Sequence, residues 1–310
     1  MALGARDTQV CITCSNVKSF LAVLQTIKST SKQPCTLIIG HEGFSARLED
    51  DSRSLFSSVF VAAQLFADFK CPGAKRTLGI PLNQLIDILN VFSAGFGGDL
   101  NLKYPGPSNE LLCEMVEESG AANACTYASI STSDAPYPAD PLDHWSPPVS
   151  HFIINGAFLK EAIEDLEWSA SGSRGVELQM SAQPPSVSLC SYGSAGDLLI
   201  DLPSAELQGF SCQPEGIHFT YKHKHLRAAF TSLSVPKDAS ASISTKVTID
   251  SQGMVKAVHL VNMASAAKSS AMSAPISYSA LPSSQAGGVR SSVIQFVVIP
   301  EEELDAPISE

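Results

Sequence analysis

The chain has 310 residues, 44% of them hydrophobic, and a formal net charge of −11 at pH 7. That length and apolar content fit two packed domains, and the lack of any apolar run of about 18 residues excludes a helical membrane span. The acidic balance excludes a domain that is basic overall, as most DNA-binding domains are. The N-terminal sequence lacks the long apolar stretch of a signal peptide, so we expect a soluble intracellular protein whose eight cysteines are reduced thiols.

The first half of the chain alternates predicted strands with two predicted helices. A β-like run at Val10–Cys14 precedes an amphipathic helical pattern at 17–29, and a second helical pattern begins at Leu82, after a proline suited to a first turn. The apolar stretch 55–69 is unevenly patterned, which predicts a strand followed by a turn or a further strand. Turn-forming residues separate the other predicted strands, at 36–39, 44–48, 99–104, 111–117 and 123–130.

The second half repeats this order after a proline-containing, linker-like segment. The run 151–154 precedes a helical pattern at 156–168, for which Asn155 is suited as the N-cap, and a fourth helical pattern begins near Lys222. The predicted strands of this half are at 187–190, 198–200, 216–221, 243–250, 254–261 and 293–299. We therefore expect a first domain at 1–131, a connector at 132–148, a second domain at 149–303 with a flexible, Ser- and Ala-rich insertion at 264–290, and an acidic tail at 304–310.

Corresponding elements of the two halves lie about 140 residues apart. That period exceeds the roughly 20 to 50 residues of solenoid repeats, so it indicates two similar domains in tandem. Strands dominate and the βαβ alternation of a parallel sheet is missing. The sequence therefore predicts an α+β fold in which each domain packs two helices on antiparallel sheet, with a polar helix face left in solvent.

Most of the motifs that could indicate a metal or catalytic site are better explained as ordinary structural features. Cys11 and Cys14 have CxxC spacing, but residues three apart on a strand point to opposite faces, and no second cysteine or histidine pair completes a zinc site. The run 222–225, Lys-His-Lys-His, is interpreted as a solvated basic helix face. The Gly-rich segments do not open helices as phosphate loops do, and the carboxylates do not converge as in a two-metal nuclease. We predict no catalytic residue, no metal and no cofactor.

Positive charge is concentrated on the first and fourth predicted helices. The basic residues there, with no acid among them, are Lys18, Lys28, Lys32, Lys222, Lys224 and Arg227. Alone they would be ordinary solvated residues, but the internal repeat places the two helices equivalently. The third helix differs, because it carries Lys160 against four acids.

Tandem α+β domains, a proline-containing connector and basic helices together resemble the sliding-clamp family of processivity factors. The matching stretches are VFVAAQLFADFK at 59–70, IPLNQLIDIL at 80–89, LCSYGSAG at 189–196, DLP at 201–203, KVTI at 246–249 and FVVIPEEE at 296–303. They occur in order and the resemblance covers residues 8–303. Within that family the sequence looks like the Rad-one (Rec-one) branch, whose members belong to the 9-1-1 DNA-damage checkpoint clamp.

The resemblance implies a DNA sliding-clamp fold and a nuclear ring of three different subunits, with helices lining the hole and sheets forming the wall. The implied partners are the Rad-nine and Hus-one subunits, a clamp loader containing Rad-seventeen, and double-stranded DNA bound without sequence specificity, with no membrane. The six basic residues would face the DNA phosphates. Sheet edges would contact the neighbouring subunits through Thr126, Ala128, Ile130, Leu198 and Ile200.

The sequence departs from the clamp pattern in places and leaves two alternative functions open. Gln25 lies where a clamp often has a basic residue, and the insertion 264–290 separates strands that are usually joined by a short turn. A 3′→5′ exonuclease, an activity proposed for this family, would need metal-bound carboxylates. A homotrimeric replication clamp would assemble by itself. The prediction is a non-catalytic subunit that encircles DNA and recruits checkpoint and repair factors.

Overall fold

The computed structural model describes residues 9–28, 34–95, 98–117, 124–135, 141–167, 175–193, 196–231, 244–262 and 291–301. In the first half, helix α1 spans Val17–Thr26 and helix α2 spans Leu82–Gly95. The strands of that half are β1 Val10–Cys14, β2 Cys35–Gly40, β3 Gly43–Glu49, β4 Leu55–Ala62, β5 Asp68–Lys70, β6 Arg76–Ile80, β7 Asp99–Tyr104, β8 Leu111–Glu117 and β9 Ala124–Ile130.

The second half follows the same order of elements. Helix α3 spans Gly156–Asp165 and helix α4 spans His223–Thr231. Its strands are β10 Ser150–Asn155, β11 Val176–Ala182, β12 Pro185–Gly193, β13 Gly196–Asp201, β14 Gly209–Ser211, β15 Ile217–Tyr221, β16 Ser244–Ile249, β17 Val255–Asn262 and β18 Ser291–Val298. None of the described helices is long and apolar enough to cross a membrane.

The strands form three antiparallel sheets. One has the order β5-β1-β7-β8-β9, the second β14-β10-β16-β17-β18-β4-β3-β2-β6, and the third β13-β12-β11-β15. The five strands β14-β10-β16-β17-β18 repeat the order of the first sheet, and β4-β3-β2-β6 repeat the order of the third. Each half therefore contributes one five-stranded block and one four-stranded block, which confirms the two similar α+β domains predicted from the sequence.

The strand registers of the two halves also correspond. Ile12 of β1 lies opposite Leu102 and Phe69, and its equivalent in the second half, Phe152 of β10, lies opposite Val247 and Phe210. Short 3₁₀ helices, Ala63–Leu65 and Ser204–Glu206, follow the equivalent strands β4 and β13. The registers thus assign residues of the paired strands in one domain to equivalent positions in the other.

A single strand pairing, which we call the seam, joins the two halves within the nine-stranded sheet. Strand β18 of the second half pairs with β4 of the first, with Ile294 opposite Val59, Phe296 opposite Ser57 and Val298 opposite Leu55. Ile294, Phe296 and Val298 are at most 1% exposed. Burial of this apolar layer, together with the ladder of backbone hydrogen bonds, fixes the two domains against one another.

The helices pack in pairs on the apolar faces of the sheets. Helix α1 lies beside α2, α3 lies beside α4, and both α1 and α4 contact β18 at the seam. Asn16 and Asn155 occupy equivalent N-caps, where their side chains accept hydrogen bonds from the amides of Ser19 and Ala157, each at 3.0 Å. The cap predicted at Asn155 is therefore confirmed, and its counterpart in the first domain repeats the same local chemistry.

Most predicted elements are confirmed, but three strands escaped sequence analysis. The bounds of β7 and β8 match the predicted ranges, and the stretch 55–69 forms β4, a 3₁₀ helix and the start of β5. Strands β6, β11 and β14 were not predicted. The described residues end α1 at Thr26, earlier than the predicted 29, and α3 at Asp165, earlier than the predicted 168.

The beginning of the connector lies against the edge of the nine-stranded sheet. Ser133 forms a two-way bridge with Gly79 of the edge strand β6, with both N···O distances at 2.9 Å. A Cβ added at Gly79 would lie 2.6 Å from the Ser133 Oγ and 3.0 Å from the Asp134 carbonyl oxygen. Glycine at position 79 is thus what allows the two backbones to approach.

Replacing Gly79 with alanine tests this contact. We expect a loss of about 1–3 kcal/mol in unfolding free energy, because the added methyl group overpacks the site, and faster hydrogen exchange at the Ser133 amide. Gly40 of β2 is the matched control, since a Cβ there meets only the Lys75 Cγ at 3.8 Å. Urea unfolding should place Gly40→Ala within about 0.5 kcal/mol of the parent; equal stability of the two variants would contradict the proposed contact.

Candidate nucleic-acid interface and sheet edges

The exposed faces of α1 and α4 carry most of the basic residues predicted to contact DNA. Lys18 on α1, Lys28 just beyond it and Lys224 on α4 are exposed, and Lys222 is half-buried at the start of α4. Among the described residues, these four lysines form no ion pair with a carboxylate. Lys32 falls outside the described residues. The four lysines are available to a polyanion on the helix side of the molecule.

Arg227 differs from these lysines because it already has a partner. Its Nη1 contacts the Glu167 carboxylate that follows α3, and both side chains are about half exposed. An exposed ion pair of this kind contributes little to stability. It does neutralise the arginine, so Arg227 can contact a phosphate only if it leaves Glu167 or shares its charge with it.

Helix α3 presents an acidic face, as its sequence predicts. Glu161, Glu164 and Asp165 are exposed, and Lys160 lies 3.9 Å from Glu164 (Nζ to Oε1). Helix α2 presents no basic residue, and its exposed Asn90 accepts a 3.5 Å hydrogen bond from Gln25 of α1. On the surface formed by the four described helices, which we call the helix side, the unpaired positive charge is therefore confined to α1 and the start of α4.

His225 contradicts the expected solvated basic face at residues 222–225. It is 2% exposed, and its Nε2 lies 3.3 Å from the Asp50 Oδ2 in the turn before β4, without the alignment of a hydrogen bond. The prediction was wrong because α4 packs at the seam, where its inner face meets the first domain. Burial lowers the pKa of His225; the Asp50 carboxylate opposes this shift, and Lys224 and Lys222 add to it.

The cysteines and carboxylates form no metal site in the described part of the chain. Cys11 is half-buried and Cys14 is buried, on opposite faces of β1 as the spacing predicted. Burial raises the pKa of the Cys14 thiol to about 12, so it is not a reactive thiolate. The described residues contain no group of three or more His, Cys, Asp or Glu side chains that could hold a metal ion.

Two of the strands that end a sheet, β9 and β13, were predicted as subunit contacts. Strand β9 ends the five-stranded sheet and β13 ends the four-stranded sheet. On their inward faces, Ile130 is fully buried, while the other predicted contact residues are half-buried: Thr126, Ala128, Leu198 and Ile200. The structure thus places all five residues at sheet edges; their contact with another subunit stays a prediction.

Sequence reasoning missed the outward faces of the same two strands. Tyr127 of β9 is 69% exposed and Leu199 of β13 is 59% exposed, and both are large apolar side chains. The period-2 alternation of a strand was the signal that could have identified them, because each lies between two inward-facing residues. Exposed apolar residues beside an unpaired edge are typical of a strand that another chain covers.

Comparison with known proteins gives a consistent family and fold. A family model described as repair protein Rad1/Rec1/Rad17 matches residues 10–261. No curated protein sequence matches the chain significantly.

Three solved structures share the fold at low sequence identity. The PCNA of Thermococcus kodakaraensis has 13% identity and a TM-score of 0.66, covering 94% of this chain and 100% of its own. The PCNA2–PCNA3 complex of Sulfolobus tokodaii and the proliferating cellular nuclear antigen of Entamoeba histolytica each have 14% identity and a TM-score of 0.65. Each covers 94% of this chain, and the matched share of their own chains is 98% and 99%.

These findings confirm the predicted sliding-clamp fold. Because the family model spans most of the sequence, the chain belongs to the Rad1/Rec1/Rad17 family of repair proteins.

Proposed function

We propose that this chain is one subunit of a heterotrimeric checkpoint sliding clamp that encircles DNA in the nucleus and recruits checkpoint and repair factors. Its neighbours in the ring would be the Rad-nine and Hus-one subunits, and a loader containing Rad-seventeen would place the ring on DNA. The observation that carries this proposal is the repeated domain, in which one pair of equivalent strands is joined at the seam while their counterparts, β9 and β13, each end a sheet.

The seam shows how two clamp domains can be joined, and the same joint could connect one subunit to the next. Inside the chain, β18 of one domain pairs with β4 of the other. Strand β9 is the first-domain equivalent of β18, and β13 is the second-domain equivalent of β4, yet both end their sheets. The same joint can therefore form between chains, with β9 of one subunit against β13 of the next. Such a head-to-tail contact closes into a ring when the rotation per subunit allows.

The proposed ring holds DNA by topology and needs only weak attraction to it. Lys18, Lys28, Lys222 and Lys224 would meet phosphates, which are the same for every sequence. The acids of α3 keep the helix side close to neutral overall, which suits a ring that slides. The role requires no catalytic residue, and we propose that the subunit is not an enzyme.

Assembly is the direct test of this proposal. We expect the purified chain alone to sediment as a monomer and to enter a stable complex only with the Rad-nine and Hus-one subunits. That complex, once loaded on nicked circular DNA, should be retained in high salt and released when the circle is linearised. A self-assembled trimer would refute the heterotrimer, and failure to join either partner would refute the subunit role.

Salt dependence tests the assigned DNA contacts. In the assembled ring, Lys18→Gln and Lys224→Gln should each make the slope of log binding constant against log salt less negative, by up to about 0.9 for one lost phosphate contact. Glu167→Gln should make the slope more negative, since Arg227 is then free of its partner. Lys70→Gln is the control, because Lys70 lies on β5 and pairs with Asp68 at 2.7 Å. An unchanged slope in both test variants would remove these lysines from the interface.

A further inference from the structure

The β9 edge and the β13 edge of this chain do not complement one another. We infer that the β13 edge is built to accept a different clamp chain, one whose edge strand carries basic side chains opposite Asp197 and Asp201. This inference rests on the proposed ring role. It adds a reason why the chain would not close a ring with copies of itself, and it states the chemistry of the neighbour on one side.

The seam fixes the register of the proposed joint. The registers of the equivalent strand pairs give the correspondence. Ile130, Ala128 and Thr126 of β9 correspond to the inward seam residues Val298, Phe296 and Ile294 of β18. On the other side, Gly196, Leu198 and Ile200 of β13 correspond to Leu55, Ser57 and Val59 of β4. A joint that repeats the seam therefore pairs β9 with β13 in one defined register.

The inward layer of such a joint between two copies would be thinner than that of the seam. At the seam, Phe296, Ile294 and Val298 lie opposite Ser57, Val59 and Leu55. Between two copies the corresponding pairs are Ala128 with Leu198, Thr126 with Ile200, and Ile130 with Gly196. Ala128, Thr126 and Gly196 take the places of the larger apolar residues Phe296, Ile294 and Leu55. The larger side chains of Leu198, Ile200 and Ile130 offset only part of that loss, so less apolar surface is buried.

The outward layer brings uncompensated acids to the joint. In the same register Tyr127 faces Leu199, which covers both exposed apolar side chains, whereas Ser129 faces Asp197 and Cys125 faces Asp201. The equivalent seam pairs are uncharged: Gln295 with Ser58, Val297 with Phe56, and Val293 with Phe60.

No basic residue of β9 is available to these acids. Strand β9 contains no Lys or Arg, and its neighbour β8 adds Glu114, which lies opposite Tyr127. The nearest lysine on that face, Lys103 of β7, is already bonded to Glu114 at 2.5 Å. Asp197 and Asp201 are exposed, and Asp201 accepts a 2.7 Å hydrogen bond from Ser188. Two copies would therefore bring Asp197, Asp201 and Glu114 to one face, with Glu177 of β11 further in on the same face, while Lys103 is already paired.

The fitting neighbour follows from these positions. Its edge strand should carry Lys or Arg at the two positions opposite Asp197 and Asp201, and an apolar or aromatic residue between them to cover Leu199. Opposite charges across paired strands favour association, and like charges oppose it.

The chain itself can serve as the probe. The variant Cys125→Lys/Ser129→Lys turns the β9 edge into the basic edge that β13 is inferred to accept. At low salt we expect sedimentation velocity to show wild type as a monomer and this variant as species of two or more chains, reverting to monomer in high salt. Adding Asp197→Lys/Asp201→Lys to the same chain should abolish the association. The control Cys125→Glu/Ser129→Glu should stay monomeric, and circular dichroism checks that each variant is folded.

The outcomes separate this inference from the proposed function. Self-association of wild type, a monomeric basic variant, or association that survives the Asp197→Lys/Asp201→Lys change would each overturn the inference. If the chain still captures partner clamp subunits in the last two cases, the ring role stands; a self-assembled wild-type trimer would also refute the heterotrimer. If the basic variant stays monomeric and the wild-type chain also fails to join any partner subunit, both fail together.

Discussion

Replacing Phe296 with alanine is expected to lower the unfolding free energy by about 3–5 kcal/mol, because it leaves a cavity in the layer that joins the two domains. Phe296 is 1% exposed, lies opposite Ser57 across the seam, and packs edge-on against the His259 ring with centroids 5.9 Å apart. Its two cross-strand neighbours, Ala257 and Ser57, are too small to fill that cavity. Urea unfolding followed by circular dichroism measures the change.

Gln295 provides the matched control for this substitution. It is the preceding residue of β18, points to the opposite face and is only half-buried. Gln295→Ala should change the unfolding free energy by no more than about 0.5 kcal/mol. If Phe296→Ala were as mild as Gln295→Ala, the seam would not be a principal source of the chain's stability, and the use of the same joint between chains would lose its energetic basis.

Acid is expected to destabilise the protein by about 3 kcal/mol between pH 6.5 and pH 4 through His259 alone. This residue of β17 is fully buried; its ring nitrogens lie 2.7 Å from the Ala229 carbonyl oxygen of α4 and 2.8 Å from the Thr245 hydroxyl. Burial lowers the pKa of His259 to about 4, although the bond to Ala229 opposes the shift. In the unfolded chain His259 binds a proton near its ordinary pKa of 6.5. The stabilising contribution of the neutral, buried His259 is therefore complete above pH 6.5 and is lost as the pH falls toward 4.

The first domain shows how to remove this dependence. Met115 and Leu100 occupy the positions equivalent to His259 and Thr245. The double variant His259→Met/Thr245→Leu should therefore keep the packing but lose most of the difference in unfolding free energy between pH 7.5 and pH 5. A smaller dependence should remain, because burial also lowers the pKa values of His151 and His225. An unchanged difference would show that His259 does not titrate in this range.

The sequence predicts those elements of the fold that depend on residues close together in the chain. Helical stripes, the Asn155 cap and the strands β7 and β8 each follow from neighbouring residues, and the duplication from their repetition. Strand β11, VELQMSA, was missed because Glu, Gln and Met favour helices although its apolar residues alternate. Strand β6 was missed because it is short and contains Gly79, whose role depends on a connector residue distant in sequence.

The candidate site was predictable in position but not in its contacts. Helical spacing located the basic residues on α1 and α4, and the family resemblance located the edges β9 and β13. No sequence pattern reports that Glu167 neutralises Arg227 or that Asp50 lies beside His225, since these pairs form only when distant segments pack together. The lack of complement between the two edges likewise becomes visible only through the registers of paired strands.

The last pair of the β17–β18 ladder is Asn262 opposite Ser291. Because these two residues are paired, the position of β18 at the seam does not depend on the length of the chain between them. The chain leaves the sheet and returns to it at one point, so the segment 263–290 can change in length or composition without moving β18. Each doubling of such a closed loop costs only about 0.6 kcal/mol. The pair is therefore a natural position for inserting a reporter domain or opening new chain ends, and the edges proposed to contact partners lie on other strands, β9 and β13.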